Sequence, residues 1–141
     1  MISTVEKVLF LRGAELFASL SGEDLARIAL LADEDTRVAG EEVFHEGDVA
    51  DALYVVVEGR VRVLRAGSLV AELGEREVFG EMALLDPAPR SATIQAATDA
   101  VLLRIRREDF QDLLAEELEV ARAVIRVLAR RLRATQPQTR G

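Results

Sequence analysis

Phe79-Gly80-Glu81-Met82-Ala83-Leu84-Leu85-Asp86-Pro87-Ala88-Pro89-Arg90-Ser91-Ala92-Thr93 is the one stretch in which glycine, an acid, two prolines and a single arginine interrupt a regular strand rhythm. The run Glu81 to Leu85 is made of strong helix formers. Asp86-Pro87 stops it, because proline lacks a backbone donor and clashes with the preceding turn, so the spacing predicts one short helix. Free N–H groups at its start attract an anion, Gly80 lets that anion approach the main chain, and Arg90, fixed after Pro89, reaches it with a two-pronged guanidinium. A carboxylate beside an anion site makes sense if Glu81 accepts a hydrogen bond from a hydroxyl on the same ligand, which describes a sugar phosphate. A lone exposed Glu81–Arg90 pair would be worth little and would leave the glycine and prolines without a purpose.

On both sides of this cassette, from about Val38 to Ile105, short β-branched runs are punctuated by Gly40, Gly47, Gly59, Gly67, Gly74 and Gly80. Leu53 to Val57 is a continuous apolar strand, and Gly59 to Arg65 alternates with its arginines expected to point outward; Glu58-Gly59 is the turn between them. Leu69 to Leu73 alternates again after Gly67-Ser68, and Ala92 to Ala97 and Ala100 to Ile105 supply two later strands split by Thr98-Asp99. Many short strands without βαβ alternation predict a mainly β fold, a jelly-roll (double-stranded β-helix) barrel of about eight strands that closes and hides its edges.

Helical periods flank the strands. Ser21 caps a helix carrying Leu25, Ile28, Ala29 and Ala32, so one or two N-terminal helices are expected. After Arg106-Arg107, Glu108 and Asp109 open a helix with Phe110, Leu113 and Leu114, and a longer one runs from about Glu117 to Arg133. In the latter Leu118, Ala121, Ile125, Leu128 and Leu132 recur at alternating steps of three and four, and Arg122, Arg126, Arg130 and Arg133 occupy other faces. Residues 1–134 are expected to form one domain and residues 135–141 a disordered tail.

Composition narrows the function. The chain has 141 residues, a formal net charge of -7, no cysteine and one histidine. That charge argues against a broad basic footprint for nucleic acid or an anionic membrane, and few aromatics leave little for stacking bases. No run approaches the roughly 20 apolar residues needed to span a bilayer, and the N-terminus lacks a signal peptide's pattern, so a cytoplasmic location is expected. Ser-His-acid and Cys-His arrangements lack parts, no Walker or HExxH pattern is present, and His45 alone cannot assemble a metal site. No catalysis, metal or cofactor is expected.

The cassette resembles the cyclic-nucleotide-binding domain family of kinase regulatory subunits, gated channels and catabolite activators, matching its Phe-Gly-Glu-(aliphatic)-Ala-Leu and Pro-Arg-(small)-Ala-Thr pattern. The flanking helices and the turns Glu46-Gly47-Asp48 and Glu58-Gly59 extend the likeness to almost the whole chain. The resemblance implies a regulatory domain that binds cyclic AMP or cyclic GMP, with Phe79, Gly80, Glu81, Met82, Ala83, Arg90, Ser91, Ala92 and Thr93 as its site. It implies that Glu81 takes the ribose 2′-hydroxyl, that Arg90 takes the cyclic phosphate, and that the N–H groups of Ala83 and Ser91 take its other oxygens. The base would lie against Val61, Val63 and Leu73. In the family a hydroxyl at the Ser91 position accompanies either nucleotide.

The trailing helix is expected to cap the ligand, to pair with a second copy as a homodimer, or to meet an effector protein or domain. With too little chain after Arg133 for a helix-turn-helix, no direct DNA binding by this chain is expected. The alternative is a ligand-free jelly-roll scaffold for dimerisation or docking.

Overall fold

The computed structural model describes residues 1–135. Ser3 opens α1 (Thr4–Leu11) with a reciprocal cap, its hydroxyl accepting from the Glu6 N–H while Glu6 accepts from the Ser3 N–H. A single 3-10 turn (Glu15–Phe17) leads to α2 (Gly22–Ala29), where the Ser21 hydroxyl accepts from the Asp24 N–H. Eight strands follow: β1 (Asp33–Arg37), β2 (Glu42–Phe44), β3 (Ala52–Glu58), β4 (Val61–Arg65), β5 (Ser68–Leu73), β6 (Val78–Phe79), β7 (Thr93–Ala96) and β8 (Ala100–Arg106). A 3-10 turn (Glu81–Leu84) interrupts them, and α3 (Arg107–Glu116) and α4 (Leu118–Thr135) end the described chain.

The strands form two antiparallel four-stranded sheets, ordered β1-β8-β3-β6 and β2-β7-β4-β5. This is the jelly-roll class that the strand rhythm predicts, with one correction: the sheets do not close into a barrel. Strands β3 and β4, and likewise β7 and β8, lie in different sheets and are joined by turns rather than by ladder hydrogen bonds. Those two crossovers lie side by side: the Arg60 N–H donates to Thr98 Oγ1 at 3.1 Å, and a Cβ on Gly59 (φ +85°) would stand 2.3 Å from the Asp99 carbonyl oxygen. Only glycine fits there.

The first sheet is the middle of three layers. Leu53, Val55, Leu103 and Ile105 face the helices and pack with Phe17, Leu25, Ile28, Leu84, Phe110 and Val124. Alternate residues Ala52, Tyr54, Val56 and Leu102 face the second sheet and meet Val61 and Ile94, with Phe44, Val63 and Leu73 beside them. β3 is therefore buried on both sides, which is why it is a continuous apolar run. β1, Asp-Glu-Asp-Thr-Arg, has no apolar residue and lies outside the stretch where strands are expected. Pairing with β8 makes it a strand, and Asp35 receives both Nε and Nη2 of Arg37, at 2.7 and 3.0 Å.

α4 departs from expectation on its packing face. Val120, Ala123, Val124 and Val127 are buried, whereas Leu118, Ile125 and Leu132 of the expected stripe are 62%, 64% and 61% exposed. Both sets recur at helical spacing, and the smaller set of three valines and Ala123 fits against the helical layer. Thr135 closes α4, one residue into the stretch expected to be disordered; residues 136–141 lie outside the described residues.

Truncating Phe110, which is fully buried against Phe17 at 5.7 Å between ring centroids, removes an anchor of the helical layer. Phe110→Ala is expected to lower unfolding free energy by about 3 to 5 kcal/mol, and Leu132→Ala by no more than about 0.5 kcal/mol, both measured by urea denaturation.

Candidate functional site

The cassette begins where β6 ends at Phe79. Gly80 turns the chain into the left-handed region (φ 73°, ψ 19°), so the turn Glu81–Leu84 departs back toward the helical layer. The predicted short helix is this 3-10 turn, anchored to α3 by Gln111 Nε2 donating to the Leu84 carbonyl at 2.7 Å. After Asp86-Pro87 the chain returns along the loop between β2 and β3. The Arg90 N–H donates to the Asp48 carbonyl at 2.7 Å, and the Gly47 N–H donates to the Arg90 carbonyl at 2.9 Å.

These bonds aim the Arg90 side chain inward, where the residue is 7% exposed. Its Nη2 donates to the Ala52 carbonyl at 2.8 Å, its guanidinium lies 3.9 Å from the centroid of the Phe44 ring, and its buried Nε has no hydrogen-bond partner. Its nearest carboxylate is Asp51, 3.8 Å away on a side chain that is itself exposed. Burial lowers the affinity of this guanidinium for its proton, but arginine stays charged near neutrality. A buried cation with an orphaned donor and no close counter-ion is the arrangement of an anion site.

Two clefts meet at Gly80, Arg90 and Ser91. One, about 190 Å³, runs between the sheets along Phe44, Val63, Phe79 and Ile94, with Ala92 and Arg65 also on its wall. The other, about 160 Å³, opens along the cassette turn and is lined by Ala50, Met82, Ala83 and Asp86. A Cβ on Gly80 would stand 2.6 Å from Arg90 Nη1 and 2.9 Å from the Ala52 carbonyl oxygen, so glycine is what lets the arginine lie against the main chain.

The remaining expected residues are placed as follows. Glu81, half-buried on the turn, binds Arg131 Nη2 of α4, and the same guanidinium reaches Glu15 through its Nε. The Ala83 N–H donates to the Gly80 carbonyl at 3.0 Å, closing the 3-10 turn. Thr93 Oγ1 accepts from the Glu46 N–H at 2.9 Å and lies 3.4 Å from His45 Nδ1, tying the cassette to the β2–β3 loop. Val61 is fully buried and Leu73 half-buried between the sheets, neither on the wall of either cleft. Phe44, Arg65 and Arg131 belong to the site or touch it, and none carries a local signal: a three-residue strand, a strand end and a helix terminus bring them in across the fold.

Comparison with known proteins defines the class. The profile of the Cyclic nucleotide-binding domain family matches residues 34–117, and the chain belongs to that family. It is 37% identical over 128 residues to the Cyclic AMP receptor protein of Thermus thermophilus, covering 87% of this chain and 59% of that protein. The chain thus spans less than two thirds of that curated relative's length. Among solved structures, the N-terminal domain of a transcriptional regulator from Streptomyces coelicolor superposes with a TM-score of 0.86 at 40% identity, covering 94% of this chain and 98% of that one. The regulatory domain of Toxoplasma gondii PKA with cAMP superposes with a TM-score of 0.71 at 32% identity, covering 77% of this chain and 43% of that one.

Gly80→Ala puts a methyl group against Arg90 and a carbonyl oxygen in a backbone conformation that alanine resists. It is expected to lower stability by more than about 1 kcal/mol, read as a fall in thermal midpoint. His45 makes a second test. Its hydrogen bond to Glu42, at 3.1 Å, and the charge of that carboxylate raise its pKa against slight desolvation. The pairing therefore adds stability below the ordinary imidazole value and loses it as pH rises through the raised one. An NMR titration is expected to find a raised midpoint in the wild type and a lower one in Glu42→Gln, where Asp48 and Glu46 still raise it.

Proposed function

We propose that this domain senses a cyclic mononucleotide, cyclic AMP or cyclic GMP, and relays its binding through the C-terminal helices. The observation that carries the reading is Arg90, buried with an unpartnered Nε where the two clefts meet. The cyclic phosphate would supply the missing counter-ion, with the Ser91 N–H beside it and the Ala83 N–H shared with the Gly80 carbonyl. Glu81 has two carboxylate oxygens, so it can accept the ribose 2′-hydroxyl while keeping Arg131. The base would enter the cleft between the sheets. The domain binds and does not catalyse, and it works in the cytoplasm; among the described residues no helix is long and apolar enough to cross a membrane.

The relay rests on two ties between the cassette turn and the helices, Gln111 to the Leu84 carbonyl and Arg131 to Glu81. A ligand hydroxyl that shares the Glu81 carboxylate alters the strength of its tie to Arg131, and the arrangement of α4 that binds the ligand better gains population. Leu118, Ile125 and Leu132 give α4 a second apolar face, which we propose pairs with the same face of another copy.

Isothermal titration with cyclic AMP and cyclic GMP tests the site. Arg90→Ala is expected to lose about 2 to 5 kcal/mol of binding, more than tenfold in affinity. No binding of either nucleotide to the wild type, or binding unchanged by the substitution, contradicts the reading. For the relay, hydrogen exchange along α4 should change on nucleotide addition and should stop responding in Arg131→Ala. Sedimentation should find a dimer that Ile125→Ser with Leu132→Ser converts to monomer; a dimer with no nucleotide-dependent melting shift would favour a scaffold instead.

A further inference from the structure

The alternation of β4 predicts that its arginines point outward, and Arg62 is exposed on the outer face. Arg65 does not follow. β4 pairs without interruption against β7 from Val61 to Leu64, so Arg65 has the inward parity of Val61 and Val63 and lies on the wall of the cleft between the sheets. Its position is held from both sides. The following Ala66-Gly67 turn has positive φ at both residues, 49° and 80°, a strained choice for alanine, and the Ala66 N–H donates to Glu46 Oε1 at 3.0 Å. Glu46 also donates its own N–H to Thr93, so the hairpin end is tied to the loop that carries Arg90. Among the described residues Arg65 forms no ion pair, and no carboxylate lines this cleft.

The cleft carries two guanidinium groups, Arg90 with Ser91 beside it and Arg65 further along, among apolar side chains. Arg90 marks where the phosphate goes. A base entering the cleft from there passes Val63 and Ile94; with Ser91 next to Arg90 at the phosphate end, the side-chain group left to hydrogen-bond the base edge is a donor, Arg65. Arginine offers only donors, so the edge it meets must accept. On a purine, the N7 nitrogen is such an acceptor in adenine and guanine alike.

Resting on the proposed nucleotide site, we infer that Arg65 is a further specificity-determining residue, which donates to the N7 acceptor of a purine base. The domain then favours purine cyclic nucleotides through a contact that the cassette itself does not make. The test is titration of cyclic AMP, cyclic GMP and the 7-deaza analogue of each, in which carbon replaces N7, against the wild type, Arg65→Ala, Arg65→Gln and Arg90→Ala. For the purine nucleotide that binds more tightly, the wild type is expected to lose about tenfold on 7-deaza substitution. Arg65→Ala should bind parent and analogue equally, and Arg65→Gln, which keeps one donor, should recover part of the difference. Equal binding of parent and analogue by the wild type, or an undiminished difference in Arg65→Ala, overturns the role of Arg65 while leaving the site intact. Loss of both compounds alike in Arg90→Ala shows that the site itself is real; no binding to the wild type overturns both. Thermal melts of the Arg65 variants, altered at an exposed strand end, should match the wild type.

Discussion

The Arg90 guanidinium lies inside the domain without a close carboxylate, and the surrounding chain is arranged to hold it there. Gly80 removes the Cβ that would collide with it, the Ala52 carbonyl takes one donor, and the Phe44 ring lies against its face. Desolvating a charge in this way is unfavourable by several kcal/mol unless a partner returns the lost interaction. The β2–β3 loop is fastened to the Arg90 backbone in both directions, so the side chain cannot relax outward without breaking those bonds. In the family to which the chain belongs, an anionic ligand is the natural partner.

The three-layer build joins the cassette to the helices. The middle sheet packs on the helices with one face and on the second sheet with the other, so the cassette turn, which emerges at the end of β6, touches both cores. Leu84 is buried in the helical core, and Phe79, five residues earlier, stacks on Tyr54 between the sheets at 5.1 Å. A displacement of that turn has to be absorbed by close-packed neighbours, of which α3 and α4 are the ones not tied into a sheet. Arg131 adds a polar tie to the apolar contact.

Legibility in the sequence followed how local each determinant is. The cassette, the flanking helices and most strands could be recognised because a glycine, a proline stop or a period of two or 3.6 marks them within a few residues. β1 could not, since its five residues are polar and become a strand only by pairing with β8, some seventy residues on. The packing face of α4 was ambiguous for another reason: the helix carries two apolar stripes, and which one is buried depends on the shape of the layer it meets. Barrel closure failed because alternation reports which face is buried and not whether the outer strands find each other.

The sequence by itself therefore determined the class of fold and the place of the cassette, because Gly80, Pro87, Pro89 and Arg90 act through backbone conformations and chemistry that are local. Only the tertiary structure decided that Arg90 is buried with its Nε unpartnered, that Arg131 holds Glu81 from fifty residues away, and that Arg65 faces the cleft. Those are relations between elements distant in the chain. They follow from how sheets and helices pack, a balance of many weak contacts that no short pattern encodes.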